Sequence, residues 1–211
     1  MSARIGGNLS GYYRLHAPIY DWTRPLFLFG RERVVEQLER FTSHDGAPPR
    51  RVLEIGCGTG INLAALERKF PKAQLVGIDL AEPMLARARL RLSTKVRLVH
   101  GELGKVDLGD PFDVVLASYM LSMTGAQQNA CIAAAGAVLA PGGLLAVVDF
   151  QSTPSGLFAR WMARNHVAFE STLPARLRAA APEQLLLESH TAYGGVWRYF
   201  TSISRRSRLM S

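Results

Sequence analysis

Glu54 sits inside the apolar run Val52–Ile55 and is followed at once by Gly56-Cys57-Gly58-Thr59-Gly60. A carboxylate at the end of a buried strand is costly unless it meets a cation or donors. Alternating glycines let a backbone turn tightly and approach a ligand without Cβ atoms in the way. An acid beside such bare backbone suits a ligand that carries an ammonium and a sulfonium. The spacing is G-x-G-x-G, with Ile61 where a dinucleotide fingerprint would need its third glycine, and no Gly-Lys-Ser/Thr ending follows. A phosphate ligand is therefore disfavoured. Asp79 ends the next apolar run and has the chemistry to accept both hydroxyls of a ribose. Gly101-Glu102-Leu103 ends the third, where Glu102 could accept from an adenine exocyclic amine and the Leu103 N–H could donate to a ring nitrogen.

The elements that must hold these residues alternate. Apolar runs predict strands over 51–56, 73–79, 95–101, 112–118 and 144–150, and helical patterns predict helices over 61–70, 82–92 and 127–139. Pro141-Gly142-Gly143 is expected to stop the last of these helices. A helix is expected from Arg31 onward, a loop over 42–50, helices over 156–167 and 173–181, and a closing hairpin through Gly194-Gly195. Strict alternation predicts an α/β fold, a mostly parallel sheet with helices on both faces. The length of 211 residues fits one domain. In such sheets ligands bind at the carboxyl ends of the strands. Partners for an amino acid, a ribose and an adenine at three consecutive strand ends together describe S-adenosyl-L-methionine.

The combination E-x-G-x-G-x-G, an acid after the second strand, and FDVVLAS with PGGLLAVVDF resembles the class I S-adenosylmethionine-dependent methyltransferases over about residues 50–150. The resemblance implies a Rossmann-like fold with a seven-stranded sheet, an antiparallel strand in a C-terminal hairpin, and an N-terminal helical lid over 1–45. It also implies a cofactor-binding set of Tyr20, Thr23, Glu54, Gly56, Cys57, Gly58, Asp79, Leu80, Met84, Gly101, Glu102, Leu103 and Ser118. The Cys57 thiol itself reads as a packing group, and Cys131, in an Ala-rich helix, as core. HAPIYDWTRPLFLFGRERVVEQL, SYMLSM and VVDFQ are similar to bacterial lipid N-methyltransferases, of the diacylglyceryl-homoserine and phosphatidylethanolamine types. By that similarity Tyr20 and Thr23 would lie over the methionine part of the cofactor.

Methyl transfer to an amine needs a deprotonated nucleophile. The residues able to take or orient that proton are Tyr13, His16, Tyr20, Tyr119 and His166, of which Tyr20, Tyr119 and His166 are the catalytic candidates. No Asn/Asp-Pro-Pro-aromatic segment follows the fourth strand, so nucleic-acid bases are disfavoured as acceptors, and the five His have no metal-ligand spacing. A soluble small molecule remains an alternative acceptor to a lipid headgroup. The formal net charge is +8, and residues 151–211 hold eight Arg against three acids, which suits an anionic partner. Arg160, Arg164, Arg176 and Arg178 interleave with Leu157, Phe158, Trp161 and Met162 in a pattern able to lie on an anionic bilayer. Two cysteines and no secretory apolar segment lead to the expectation of a cytoplasmic protein with a peripheral membrane contact.

Overall fold

A computed structural model of the chain describes residues 27–44 and 47–208. Its strands form one seven-stranded sheet in the order β3-β2-β1-β4-β5-β7-β6. These are β1 (Arg51–Ile55), β2 (Gln74–Asp79), β3 (Arg97–His100), β4 (Phe112–Ser118), β5 (Leu139–Ser152), β6 (Glu183–Ala192) and β7 (Trp197–Arg205). The first five pair in parallel, and β7 runs antiparallel to both of its neighbours. The inner parallel strands β1, β2 and β4 are largely apolar runs because both of their faces are covered, whereas β3, at the edge, is half-exposed.

Alternate residues feed two separate cores, as the twofold period of a strand requires. Val52, Val114, Leu116, Leu144, Ala146 and Val148 join one core; Leu53, Ile55, Val115, Leu145 and Val147 join the other. The first face is covered by α1 (Arg31–His44), through Val34, Val35 and Leu38, and by α2 (Ile61–Lys69), through Leu63 and Leu66. The second is covered by α4 (Gln128–Val138), through Ile132 and Ala135, and by the short α6 (Leu173–Arg176), through Leu173. Helix α3 (Glu82–Arg91) follows β2, and α5 (Gly156–Arg164) follows β5. Glu54 shares its strand face with Val52, so its side chain is directed toward the α1 and α2 layer. Within the described residues the expected N-terminal lid is this packing helix α1; the rest of the expected lid lies outside them.

Two boundaries depart from the sequence expectation. Strand β5 begins at Leu139, so Pro141-Gly142-Gly143 does not separate a helix from a strand but forms a bulge within the strand. Phe112 pairs with Leu139 and Val114 with Leu144, which sets Ala140–Gly143 opposite the single residue Asp113. Only glycine fits at 143, where a Cβ would lie 2.9 Å from the Ala140 carbonyl oxygen and 3.0 Å from that of Phe112. The helix expected over 156–167 ends at Arg164. His166 takes a left-handed conformation, φ 62, while its N–H donates to Ala163 O and that of Val167 to Met162 O. This paired closure of the last turn stops the helix.

Candidate active site

The carboxyl ends of β1, β2, β3 and β4 open on a cavity of about 770 Å³, within the ~300–1,000 Å³ of small-molecule sites. Its floor is the glycine loop. Gly56 N–H and Cys57 N–H both donate to Ile78 O, at 2.8 and 3.1 Å, which ties the loop to β2. At Gly56, φ is +65 and a Cβ would lie 2.9 Å from that of Met120, so glycine is required twice over. Gly58, φ +53, has nothing within 4 Å of where a Cβ would be, and its bare backbone forms part of the cavity lining.

Glu54 is buried, and Asn62, in the first turn of α2, donates Nδ2–H to its Oε1 at 2.7 Å. Among the described residues no donor reaches its Oε2. Burial pushes the Glu54 carboxyl up to about 8, against the opposing effects of the Asn62 hydrogen bond and the Arg31 guanidinium. Arg31 opens α1 and also lines the cavity. Asp79 accepts from Gly58 N–H at 2.8 Å through Oδ2 and from Ala81 N–H at 2.8 Å through Oδ1. Burial raises its pKa, and those two N–H groups oppose the rise. The carboxylate thus holds the loop against the start of α3 while facing the cavity.

Leu80, Met84, Gly101, Glu102, Leu103 and Ser118 all line the same cavity. Glu102 is ion-paired with Lys105 at 2.7 Å, so its carboxylate already has a partner. Cys57 is buried in the floor, and its thiol is pushed well up by that burial. Cys131 corrects its expectation: it is half-buried and lines the cavity, its thiol pushed up to about 11 by burial. The Ala-rich sequence of α4 hides which of its faces is the inner one. Tyr13, His16, Tyr20 and Thr23 lie outside the described residues.

A further wall of the cavity comes from two segments remote in sequence from the glycine loop. One is Tyr119–Gln127, after β4; the other is Ala163, in the last turn of α5, with His166–Ala168 just after it. Tyr119, φ 53, turns the chain out of the sheet and is buried. Its hydroxyl donates to Phe29 O at 2.7 Å, and burial holds its pKa well above the usual phenol range. That committed proton makes Tyr119 an anchor for the segment entering α1. His166 lines the cavity from its left-handed turn. Asp149, which sequence reasoning missed, is wholly buried in β5 and pushed up to about 6 by that burial. It accepts from Ser122 N–H at 3.1 Å, and Ser122 O in turn accepts from Ala168 N–H at 2.9 Å. Arg31 and Asn62 were also missed; the one local signal was an Asn one residue into the helix behind the glycine loop.

Residues 52–143 match the family model described as a methyltransferase domain. The chain is 31% identical over 176 residues to a trans-aconitate 2-methyltransferase of Methylobacterium nodulans, covering 82% of this chain and 66% of that protein. It therefore spans just under two thirds of that relative's length. Among solved structures it is similar to the [4+2]-cyclase SpnF, with a TM-score of 0.76, 19% identity and 98% of each chain covered. It is also similar to the N-methyltransferase NodS of Bradyrhizobium japonicum in complex with S-adenosyl-L-homocysteine, with a TM-score of 0.65, 23% identity, and 83% of this chain and 86% of that one covered. Over residues 52–143 the chain thus matches a methyltransferase domain, and its fold is the Rossmann-like α/β fold of these structures. S-adenosyl-L-methionine is the cofactor of that domain. The similarity reaches the class of enzyme and not the acceptor: the resemblance to lipid N-methyltransferases is carried by none of these relatives.

Proposed function

We propose that the protein transfers a methyl group from S-adenosyl-L-methionine to the nitrogen of an amine, and that the amine belongs to a lipid headgroup. The observation that carries the cofactor half is the buried Oε2 of Glu54, which no donor among the described residues reaches, directly behind the glycine loop and in one cavity with Asp79 and Gly101–Leu103. Glu54 would hold the ammonium of the methionine part, Asp79 the ribose hydroxyls, and Leu80, Met84 and Gly101–Leu103 the adenine. Tyr20, Thr23, Ser118 and the backbone of Gly56–Gly58 complete the proposed set.

The bound cofactor supplies an electrophilic methyl on a sulfonium, and the new N–C bond forms as the S–C bond breaks. The chain's part is to align the acceptor nitrogen with that bond at ~3–3.5 Å and to see its proton removed. His166 is the proposed acceptor of that proton. The wall built by the two remote segments carries Met120, Met123, Ala163, Val167 and Ala168 beside His166, with Ser122, Thr124 and Gln127 as uncharged polar groups. Such a wall favours a neutral amine over a carboxylate, which would call for several cations. A second reading, O-methylation of a small carboxylic acid, is favoured by the trans-aconitate relative and by Arg31 in the lining.

The test is methyl transfer from methyl-labelled cofactor to three sets of acceptors: aminolipids, soluble amines and polycarboxylates. Label in the aminolipid supports the proposal. Label confined to carboxylates overturns the amine, and label confined to soluble amines overturns the lipid.

A further inference from the structure

We propose that the outer face of α5 and the tip of the β6–β7 hairpin form one surface that seats on an anionic lipid bilayer beside the mouth of the cavity. Along α5, Leu157, Arg160, Trp161 and Arg164 fall at i, i+3, i+4 and i+7, which puts them on one face of the helix. Phe158 and Met162 take the other face, packed in the core, with Phe158 stacked on Trp197 at 5.2 Å. The outer face is open: Leu157 is 81% and Trp161 49% exposed.

The hairpin continues the surface. Tyr193 is 53% and Val196 40% exposed, on either side of Gly194-Gly195. Tyr193 lies 5.0 Å from Trp197 between ring centres, Trp197 is 5.7 Å from Phe27, and Phe27 is 5.8 Å from Trp161. Tyr193 and Trp161 are thereby joined through the buried ring of Trp197 and the half-buried ring of Phe27; Leu157 shares the helix face of Trp161, and Val196 follows the same hairpin turn as Tyr193. Its charge has one sign. Residues 151–169 contain no acid, and Arg160, Arg164 and Arg198 are exposed around the apolar groups.

The occupant follows from that chemistry. Trp and Tyr favour the headgroup level of a bilayer. Arginines beside them extend their stems over apolar surface while the guanidinium groups meet lipid phosphates. Among the described residues no helix is long and apolar enough to cross a membrane, so the contact is interfacial, with α5 in the plane of the headgroups. Helix α5 also joins this surface to the cavity. Ala163 lines both the cavity and the shallow groove made by Leu157, Arg160, Trp161 and Arg164. A headgroup presented there meets the helix whose closing turn carries His166. The proposal rests on the methyl-transfer reading only for what the surface delivers.

Co-sedimentation of the full chain with vesicles tests it, using phosphatidylcholine alone or mixed with phosphatidylglycerol. Binding is expected only to the mixed vesicles, weakening with salt and shifting Trp emission to the blue. Arg160→Glu with Arg164→Glu is expected to reduce partitioning by at least about five-fold per arginine. Leu157→Ser with Trp161→Ser is expected to reduce it as much while leaving cofactor affinity and turnover of a soluble amine unchanged. Equal binding to both vesicle types, or none, overturns the proposal. So does a sedimentation-velocity result in which Leu157→Ser with Trp161→Ser converts a dimer to a monomer, since the face would then belong to a second copy. A failure of the cofactor assignment would show separately, as absent cofactor binding in calorimetry.

Discussion

Replacing Glu54 by Gln should make the free protein more stable and the cofactor complex weaker. The carboxyl has an ordinary value of 4.5 and is held at about 8 in the fold, chiefly by burial. The folded state therefore binds this proton more tightly than the unfolded chain does. Between those two values stability falls as pH rises, by about 1.4 kcal/mol for each pH unit, and it is level below and above them. From 4.5 up to pH 7 the carboxyl costs the fold about 3 kcal/mol. Solvent screening does not reduce this figure, because the side chain is wholly buried. Gln retains an oxygen for the Asn62 hydrogen bond and does not titrate. At ~2–4 °C per kcal/mol for a chain of this size, the variant should melt roughly 6–12 °C higher at pH 7. The gain should vanish near pH 4.5.

The same group governs binding with the opposite sign. A bound ammonium favours the ionised carboxylate, so below pH 8 the cofactor must displace a proton from Glu54. Its affinity should rise up to ten-fold per pH unit from pH 6 to 8 and level off above. Glu54→Gln should lose that slope and bind about 10- to 100-fold more weakly, the worth of a charge-assisted hydrogen bond. Thermal melts from pH 4.5 to 8 and calorimetry with the cofactor measure both halves. A variant that melts no higher at pH 7, or binds as tightly as the parent with the same pH slope, refutes the reasoning.

Asp79→Asn should weaken cofactor affinity by at least about ten-fold in calorimetry, through loss of a charged acceptor. Asp79→Ala should in addition lower stability by about 1–3 kcal/mol in urea titrations, because the Gly58 and Ala81 N–H groups lose their acceptor. His166→Asn, which tolerates the left-handed conformation at that position, should lower kcat for an amine about 10²-fold or more with cofactor affinity unchanged; an unchanged kcat would move deprotonation to solvent. Tyr119→Phe removes the bond to Phe29 O and should cost about 1 kcal/mol of stability with only a several-fold effect on kcat. A loss of kcat as large as that of His166→Asn would return the hydroxyl to the chemistry.

What local pattern alone can encode was legible in the sequence. The run Val52–Ile55 and its counterparts named the parallel strands, because a strand covered on both faces must be apolar throughout. The glycine loop, Asp79 and Gly101–Leu103 were legible as strand ends, and they do line one cavity. The start of β5 was not, since Pro141-Gly142-Gly143 has the composition of a helix stop. Its pairing with Phe112 exists only once β4 lies alongside. His166 as the turn that closes α5 was equally hidden, because non-glycine residues adopt φ near +60 uncommonly. Arg31 carries no local mark at all: its place beside Glu54 depends on how α1 crosses the sheet.

The side proposed to face the acceptor was the least legible because it is held together at long range. Asp149 in β5 accepts from Ser122 N–H after β4, and Ser122 O accepts from Ala168 N–H after α5. Three segments that alternate with other elements along the chain are thus linked through one buried carboxylate. His166 lies two residues from the last link, so the carboxylate bears on the histidine's placement without itself lining the cavity. The cofactor side has no such dependence: its glycine loop, Glu54 and Asn62 fall within a dozen residues, and Asp79 reaches that loop by one direct hydrogen bond. Substitutions in the first group should therefore move acceptor KM and kcat while cofactor affinity holds. Substitutions in the second should move cofactor affinity first. That division lets one domain retain its methyl donor while the segments after β4 and α5 are free to change the acceptor.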